Sequence, residues 1–133
     1  MSVAALTDFD RELLHGMNYA HVVTLHPDGR PHVTVTWVDE RDGAVLVNTA
    51  AGRVKVNNVR HDPRVAVSVY DQADPYRAIS IEGEVREIVE GEEAERHIDA
   101  LNRRYHDDEP WQYRPDQRRV LFLIEPRRVI RRG

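Results

Sequence analysis

The stretch TAAGRVKVNNVRHDPRV, residues 49–65, concentrates residue types that bind anions. It holds Lys55, the only lysine among the 19 basic residues of the chain, of which the other 18 are arginine. Arginine presents a planar fork of donors and lysine a compact point charge, so the two are not interchangeable at a tight site. The single lysine therefore either marks a specific binding site or is present by chance in an arginine-rich chain.

The spacing within this stretch fits a short helix. Val56 and Val59 are three residues apart, as are Lys55 and Asn58. A helix would place the valines on one side and Lys55 with Asn58 on an adjacent side. Arg53 would then lie in the loop that enters the helix, where unpaired backbone N–H groups and the positive end of the helix dipole favour an anion.

These residue types together could hold a phosphate group. Arg53 can bind an anion bidentately, Lys55 adds a point charge, and Asn58 and Thr49 offer neutral hydrogen bonds. Each charge-assisted contact contributes on the order of 1.5–3 kcal/mol. Three such contacts would bind a phosphorylated cofactor in roughly the micromolar range. The alternative is a connecting helix whose basic side chains simply face water.

Composition limits the class of protein. A chain of 133 residues predicts a single domain, 1–133, large enough for a substantial core. The absence of cysteine fits a reducing compartment, and the start MSVAALTDFDRELL is too acidic and too short in its apolar part for a signal peptide, so a cytoplasmic protein is expected. No apolar run is long enough for a membrane helix. The net charge of −4 argues against a general nucleic-acid binder.

Most of the remaining sequence alternates with the period of β-strands. In PHVTVTWV the apolar Val33, Val35 and Trp37 alternate with polar residues, and Asp-Gly turn signals separate such runs. Gly83 interrupts one run, which predicts a bulge or a sharp bend. Short turns favour a mainly-β fold with peripheral helices (α+β), built as an antiparallel barrel. Six strands are predicted, within AHVVTLH, PHVTVTWV, AVLVN, RVAVSVY, AISIEGEVREI and RVLFLIEPRRVI.

Two helices are predicted outside residues 49–65. The first spans residues 7–16, with Thr7 as N-cap and Asp10 three places later, as in a capping box. The second spans residues 92–105, where apolar and aromatic residues recur at helical spacing. One helix thus precedes the strands and one lies late in the chain.

The order of these motifs resembles that of the flavin and deazaflavin oxidoreductases with the split β-barrel fold, a superfamily that includes pyridoxamine phosphate oxidase. The pattern R-x-K-x-x-N, followed by a D-P-R-V strand, is most similar to its coenzyme F420-dependent branch. DGRPHVTVTWV and DPYRAISIEGEVREI also resemble stretches usual there, and the resemblance covers roughly residues 15–130. It implies a six-stranded antiparallel split β-barrel of the FMN-binding type, acting as a homodimer with the cofactor site at the interface.

Residue by residue, the resemblance assigns cofactor contacts to the central part of the chain. It gives Arg53, Lys55 and Asn58 to the cofactor's phosphate. It places Asn48 and Thr49, at the end of the preceding strand, along the ring system or its ribityl chain. The lone lysine would be a compact donor beside a phosphate already held by an arginine fork.

Three further residues are implied, and one segment departs from the pattern. Thr34, on the second strand, is a predicted contact of the tricyclic ring. Tyr76 and Arg77 correspond to a loop that flanks the cofactor and, in such dimers, can reach the partner's site. The acidic run at 107–109 replaces a glycine-containing segment that is more usual beside the substrate opening.

The implied activity is hydride transfer between coenzyme F420 and a small organic substrate. Because a flavin or deazaflavin carries its own hydride chemistry, no protein nucleophile or acid–base pair is predicted. FMN is the alternative cofactor, as in pyridoxamine oxidation, and a non-catalytic flavin- or F420-binding protein is a further alternative. Histidine spacing and the lack of cysteine predict no metal site, and the lack of a dinucleotide-type glycine loop disfavours NAD binding.

Overall fold

The computed structural model describes residues 2–133, which form seven strands and three helices. The strands are β1 (Ala20–Leu25), β2 (Pro31–Thr36), β3 (Asp39–Arg41), β4 (Ala44–Ala50), β5 (Arg64–Tyr70), β6 (Ala78–Glu90) and β7 (Arg119–Arg132). The helices are α1 (Asp8–His15), α2 (Val54–His61) and α3 (Glu92–Tyr105). All strand pairs are antiparallel, in the order β2-β1-β5-β6-β7-β4-β3. The predicted mainly-β fold with peripheral helices is confirmed.

The sheet buries side chains on both of its faces. One face of β1, β4, β5, β6 and β7 contributes to a single apolar cluster that includes Phe122 and side chains of α1 and α2. On the other face, α3 packs Ala94 against Ala44, Leu46 and Leu121. β4 is therefore buried at every position, which explains why its first four residues, 44–47, are all apolar instead of alternating with polar ones.

The predicted count of six strands is wrong, since the sheet has seven among residues 2–133. The missed strand is β3, three residues long, of which only Glu40 is buried. So short and polar a segment has no alternation to detect, and it pairs with β4 through the tight turn that follows it. β2 and β3 are the two edges of the sheet, and within the described chain no ladder joins them.

The helices agree closely with the sequence patterns. α1 begins after Thr7, whose Oγ1 accepts from the backbone N–H of Asp10 at 3.3 Å while the carboxylate of Asp10 accepts from the N–H of Thr7 at 2.8 Å. This confirms the capping box. α3 has the predicted bounds, and α2 confirms the short helix expected after residue 53. In the part of the chain that the structure describes, no helix has the length and apolar character needed to cross a membrane.

Gly83 lies at a register shift between β6 and β7, as its position in the sequence predicted. A Cβ atom at this residue would come within 2.5 Å of the carbonyl oxygen of Glu125 on the neighbouring strand. The absence of a side chain thus allows the two longest strands to approach where the ladder is irregular.

Asp39, at the start of β3, links the sheet to α3 through two hydrogen bonds. Its Oδ2 accepts from Nε2 of His97 at 2.9 Å and its Oδ1 from Nη2 of Arg104 at 2.7 Å. Burial alone would raise the pKa of Asp39, but the hydrogen bonds from His97 and Arg104 outweigh it and lower the pKa from 3.8 to about 2. The carboxylate is therefore stabilised in its charged form by the fold.

Replacing Asp39 with asparagine should lower the free energy of unfolding at pH 7 by about 2 kcal/mol, the equivalent of this pKa difference. Because the folded pKa lies below the unfolded one, the contribution is complete above about pH 4 and is lost as the pH falls through 2. Urea denaturation at several pH values should show a shallower acid dependence for Asp39→Asn than for the parent. Asp116→Asn, at an exposed aspartate, should match the parent, and an equal loss in both variants would contradict the assignment.

Candidate functional site

The end of β4, the turn that follows it and the helix α2 carry most of the residues singled out in the sequence. Gly52 has a φ of +86°, a backbone conformation that residues with a side chain rarely adopt. This conformation lets the chain reverse its direction immediately before the helix. Arg53 occupies the N-cap position of α2 and is exposed. Lys55, Val56, Asn58 and Val59 are all buried, so α2 presses both its apolar and its polar side chains against the sheet.

A cleft of about 460 Å³ lies between this turn and strand β2. One wall is formed by His32, Thr34 and Val35, and the other by residues 52–55. Nδ1 of His32 and Oγ1 of Thr34 are both buried and have no hydrogen-bond partner in the described chain. Because a buried polar atom without a partner is unfavourable, these two atoms fit a ligand that donates or accepts hydrogen bonds.

Lys55 places an uncompensated charge in the cleft wall. Its side chain is only 6% exposed, yet no hydrogen bond or ion pair within residues 2–133 involves its ammonium group. Burial, followed by repulsion from Arg53 and Arg119, lowers the pKa of Lys55 from 10.5 to about 8. A buried cation repelled by its neighbours and lacking a carboxylate partner is the electrostatic complement of an anionic ligand.

Arg119, the first residue of β7, belongs to the same cluster of cations and was missed by sequence reasoning. It is 6% exposed, and its Nε donates to Oδ1 of Asn48 at 3.0 Å. Burial and then repulsion from Arg53 lower the pKa of Arg119 from 12.5 to about 10. In a chain with 18 arginines, no local pattern distinguishes this one, because its neighbours in space lie far away in sequence.

The cleft gathers only part of the predicted set: Thr34, Arg53 and Lys55 line it. Thr49, near the end of β4, is buried, and its Oγ1 has no hydrogen-bond partner among residues 2–133, which is compatible with its predicted role. The contact of each of these residues with a cofactor stays a prediction.

The two predicted asparagines use their amide groups within the protein. Nδ2 of Asn48 donates to the carbonyl of Ala94 at 2.9 Å, and its Oδ1 holds Arg119. Nδ2 of Asn58 donates to Oγ1 of Thr24 at 3.0 Å, which ties α2 to β1. Neither residue lines the cleft, so as the structure stands they position the residues around it.

Tyr76 and Arg77 lie in the turn between β5 and β6 and do not line the cleft. Arg77 forms ion pairs with Asp71 at 2.5 Å and with Glu12 at 3.3 Å, and its guanidinium lies 5.2 Å from the ring centroid of Phe9. Tyr76 is 76% exposed. Their predicted contribution to a partner's site stays a prediction.

Comparisons with protein families and with solved structures agree with this architecture. Residues 6–132 match the family described as pyridoxamine 5′-phosphate oxidase. A solved structure described as an F420 reductase is 30% identical, with a TM-score of 0.80 over 90% of this chain and 94% of that one. The conserved hypothetical protein Rv2991 from Mycobacterium tuberculosis is 26% identical, with a TM-score of 0.78 over 98% and 86% of the two chains. General Stress Protein 26 from Bacillus anthracis, 22% identical with a TM-score of 0.69 over 91% and 88%, shows a likeness of fold alone. No curated protein sequence matches the chain.

Proposed function

The chain belongs to the pyridoxamine 5′-phosphate oxidase family, and from this membership and the cleft we propose that it is an oxidoreductase that uses coenzyme F420. In this proposal hydride passes between F420 and a small organic substrate. The protein acts as a cytoplasmic homodimer in which the sheet closes into a split barrel and the cofactor lies at the subunit interface. The F420 reductase that is 30% identical favours the deazaflavin over other cofactors.

The observation that carries the proposal is the buried residue Lys55, whose ammonium has no hydrogen-bond or ion-pair partner among residues 2–133, beside two buried polar atoms on β2 that also have no partner there. A ribityl phosphate supplies the anion that Lys55 and Arg53 lack. A polar heteroaromatic ring supplies partners for Oγ1 of Thr34 and Nδ1 of His32. The residues present therefore fit both ends of such a cofactor.

The chain's own residues bind and orient the cofactor and need not perform the chemistry. When bound, F420 supplies the hydride transfer itself. Arg53 and Lys55 would fix its phosphate, and Thr34 would set the position of its ring against β2. Val35, on the same wall, would provide an apolar surface for the ring to pack against. No side chain is assigned the role of nucleophile or general acid.

FMN is the second candidate, because the family description names pyridoxamine 5′-phosphate oxidase, and pyridoxamine oxidation is the FMN-dependent alternative that the resemblance implies. FMN and F420 share the ribityl phosphate, so Arg53 and Lys55 would serve either one. A paired titration of the purified protein with F420 and with FMN, followed by fluorescence quenching or calorimetry, separates them. Tight F420 binding with weak FMN binding supports the proposal, and the reverse order moves the protein to the flavin oxidases.

Turnover distinguishes an enzyme from a binding protein. Reduced F420 should be reoxidised by at least one member of a panel of small organic acceptors when the protein is present in catalytic amounts. Binding without reoxidation by any acceptor would point to a protein that stores or protects the cofactor. Heat-denatured protein gives the background rate.

The affinity for the phosphorylated cofactor should fall as the pH rises through about 8. Lys55 loses its proton there in the free protein, and an anion binds the protonated form more tightly. One linked proton corresponds to at most about tenfold in Kd for each pH unit. The other cations at the site are Arg53 and Arg119, and His32 lies on the opposite wall. Titrations from pH 7 to 10 should show this slope for the parent and a flatter profile for Lys55→Met; identical profiles would contradict the role of Lys55.

A further inference from the structure

Lys55 is the only lysine of the chain, so its Nζ is the only primary amine that a side chain of this protein carries. The residue is buried, yet it lines the cleft of about 460 Å³ between α2 and β2. Among residues 2–133 its ammonium has no hydrogen-bond or ion-pair partner. A cleft of this size accommodates a small molecule, so a small reagent can reach Nζ while α2 stays folded.

The charged groups around Lys55 favour its neutral form. Burial, followed by repulsion from Arg53 and Arg119, lowers the pKa of Lys55 from 10.5 to about 8. His32 lies on the opposite wall, and no carboxylate is among the residues that line the cleft. Near neutral pH a much larger share of this amine is therefore unprotonated than of an exposed lysine, and the unprotonated amine is the nucleophile.

Arg53 provides an anion-binding group close to this amine. It occupies the N-cap position of α2, is exposed and lines the same cleft as Lys55. No side chain caps the first turn of α2, and no acidic residue lies in that turn. Unpaired backbone N–H groups at a helix start favour an anion, and an arginine fork binds phosphate bidentately. The cleft thus combines a phosphate-binding group with a nucleophile.

Small acyl phosphates carry the two groups that this combination selects, an anionic phosphate and, one oxygen atom away, an electrophilic carbonyl carbon. Ordinary phosphate esters lack that carbon, and neutral acyl esters lack the charge. We propose that Lys55 is a modification site, acylated on Nζ by small acyl phosphates that bind in the cleft.

The reaction is an acyl transfer without oxidation or reduction. The lone pair of the neutral amine attacks the acyl carbon and forms an N–C bond. The bond between that carbon and the bridging oxygen breaks, and its electron pair leaves with the phosphate. One proton of the amine ends on the phosphate, so the products are an amide on Nζ and inorganic phosphate.

Acylation would also regulate the cofactor site. It removes the positive charge of Lys55 and places an acyl group where the phosphate of the cofactor would lie. Cofactor and acyl phosphate then compete for the same cleft, so bound F420 should protect Lys55. This consequence rests on the proposed function, whereas the acylation itself does not require F420.

The test treats the purified protein with acetyl phosphate near neutral pH and follows acetylation by mass spectrometry of its peptides. Arg60→Lys supplies a reference amine in the same molecule, because residue 60 is exposed on the same helix. Lys55 should be acetylated roughly tenfold faster or more than this reference, because more of it is unprotonated. Lys55→Met gives the background from all other groups.

Two further measurements test whether phosphate recognition directs the reaction. Excess inorganic phosphate should slow the acetylation of Lys55 several-fold and leave the reference amine unchanged. Arg53→Gln should have the same selective effect, because it removes the phosphate-binding fork. Equal rates at Lys55 and at the reference amine would overturn the proposal. So would a rate at Lys55 that responds neither to phosphate nor to Arg53→Gln.

The effect on the cofactor separates this proposal from the proposed function. Acetylated protein should bind F420 roughly 10- to 100-fold more weakly than untreated protein, as measured by calorimetry. Equal affinities would overturn the regulatory consequence. If the parent binds neither F420 nor FMN but is acetylated selectively at Lys55, the proposed function fails and the modification site stands. If the parent binds F420 and Lys55 is not selectively acetylated, only the modification site fails.

Discussion

Replacing Lys55 by methionine should weaken the binding of F420 by roughly 10- to 100-fold and, at the same time, make the folded protein more stable. The loss of affinity follows from removing one charge-assisted contact to the phosphate, worth about 1.5–3 kcal/mol. The gain in stability follows because Lys55 is a buried residue, its ammonium has no hydrogen-bond or ion-pair partner among residues 2–133, and Arg53 and Arg119 repel it. A methionine of similar length removes this penalty, which we place on the order of 1–3 kcal/mol.

The sign of the stability effect can be checked through its pH dependence. The pKa of Lys55 is about 8 in the folded protein and 10.5 in its unperturbed state. The unfolded chain therefore binds more protons between these values, and the parent gains stability as the pH rises from 8 to 10.5. The advantage of Lys55→Met should be largest below pH 8 and should shrink across this range, as measured by urea denaturation.

The matched control is Arg60→Met on the same helix. Arg60 is half exposed and lies 3.9 Å from its nearest carboxylate, Glu90, so its replacement should change neither affinity nor stability appreciably. A Lys55→Met variant that loses both affinity and stability would indicate that Lys55 holds the fold together. A variant with parental affinity would indicate that Lys55 is a residue without function in the site.

Replacing Gly83 by alanine should destabilise the protein by about 1–3 kcal/mol or more. The cause is overpacking, because the added methyl group would meet backbone that cannot easily move aside. The new Cβ would lie 2.5 Å from the carbonyl oxygen of Glu125 and 3.1 Å from Cγ2 of Ile124. The closer of these atoms is backbone, so the clash can be removed only by moving β7 away from β6. Because these are the two longest strands of the sheet, their separation would disturb the core on one face and α3 on the other.

Urea denaturation of Gly83→Ala and Ser80→Ala provides the comparison. Ser80 is exposed on the same strand, and its replacement adds no atom near β7, so its stability should lie within about 0.5 kcal/mol of the parent. If Gly83→Ala lost no more than about 0.5 kcal/mol in its free energy of unfolding, the account would be contradicted. Such a result would mean that β6 and β7 can separate at the bulge without loss of stability. A large loss confined to Gly83→Ala would support it.

Local features of the fold could be predicted from the sequence because their causes lie close together along the chain. The capping box needs only Thr7 and Asp10, and the bulge at Gly83 follows from a glycine within an apolar alternation. Helix α2 was expected from the spacing of Val56 and Val59. β3 could not be predicted in this way, since three residues define no period and its pairing depends on β4.

The candidate site was only partly predictable for the same reason. Arg53 and Lys55 could be expected to share a site because they lie two residues apart at the start of one helix. Sequence could not reveal that the amide of Asn48 is engaged by Arg119, because 71 residues separate them and only the pairing of β4 with β7 brings them together. Such long-range contacts decide whether a polar side chain is free to bind a ligand or already forms hydrogen bonds within the protein.

The measurement that tests the central claim most directly is a crystal structure of the protein with F420 bound. The account predicts the phosphate within hydrogen-bond distance of Arg53 and Lys55, with the ring against Thr34 in the cleft of about 460 Å³. A cofactor bound elsewhere would contradict it, for example in the cleft of about 410 Å³ beside Gly83 that Val23 and Leu25 line. So would a cofactor in the expected cleft whose phosphate does not contact Lys55.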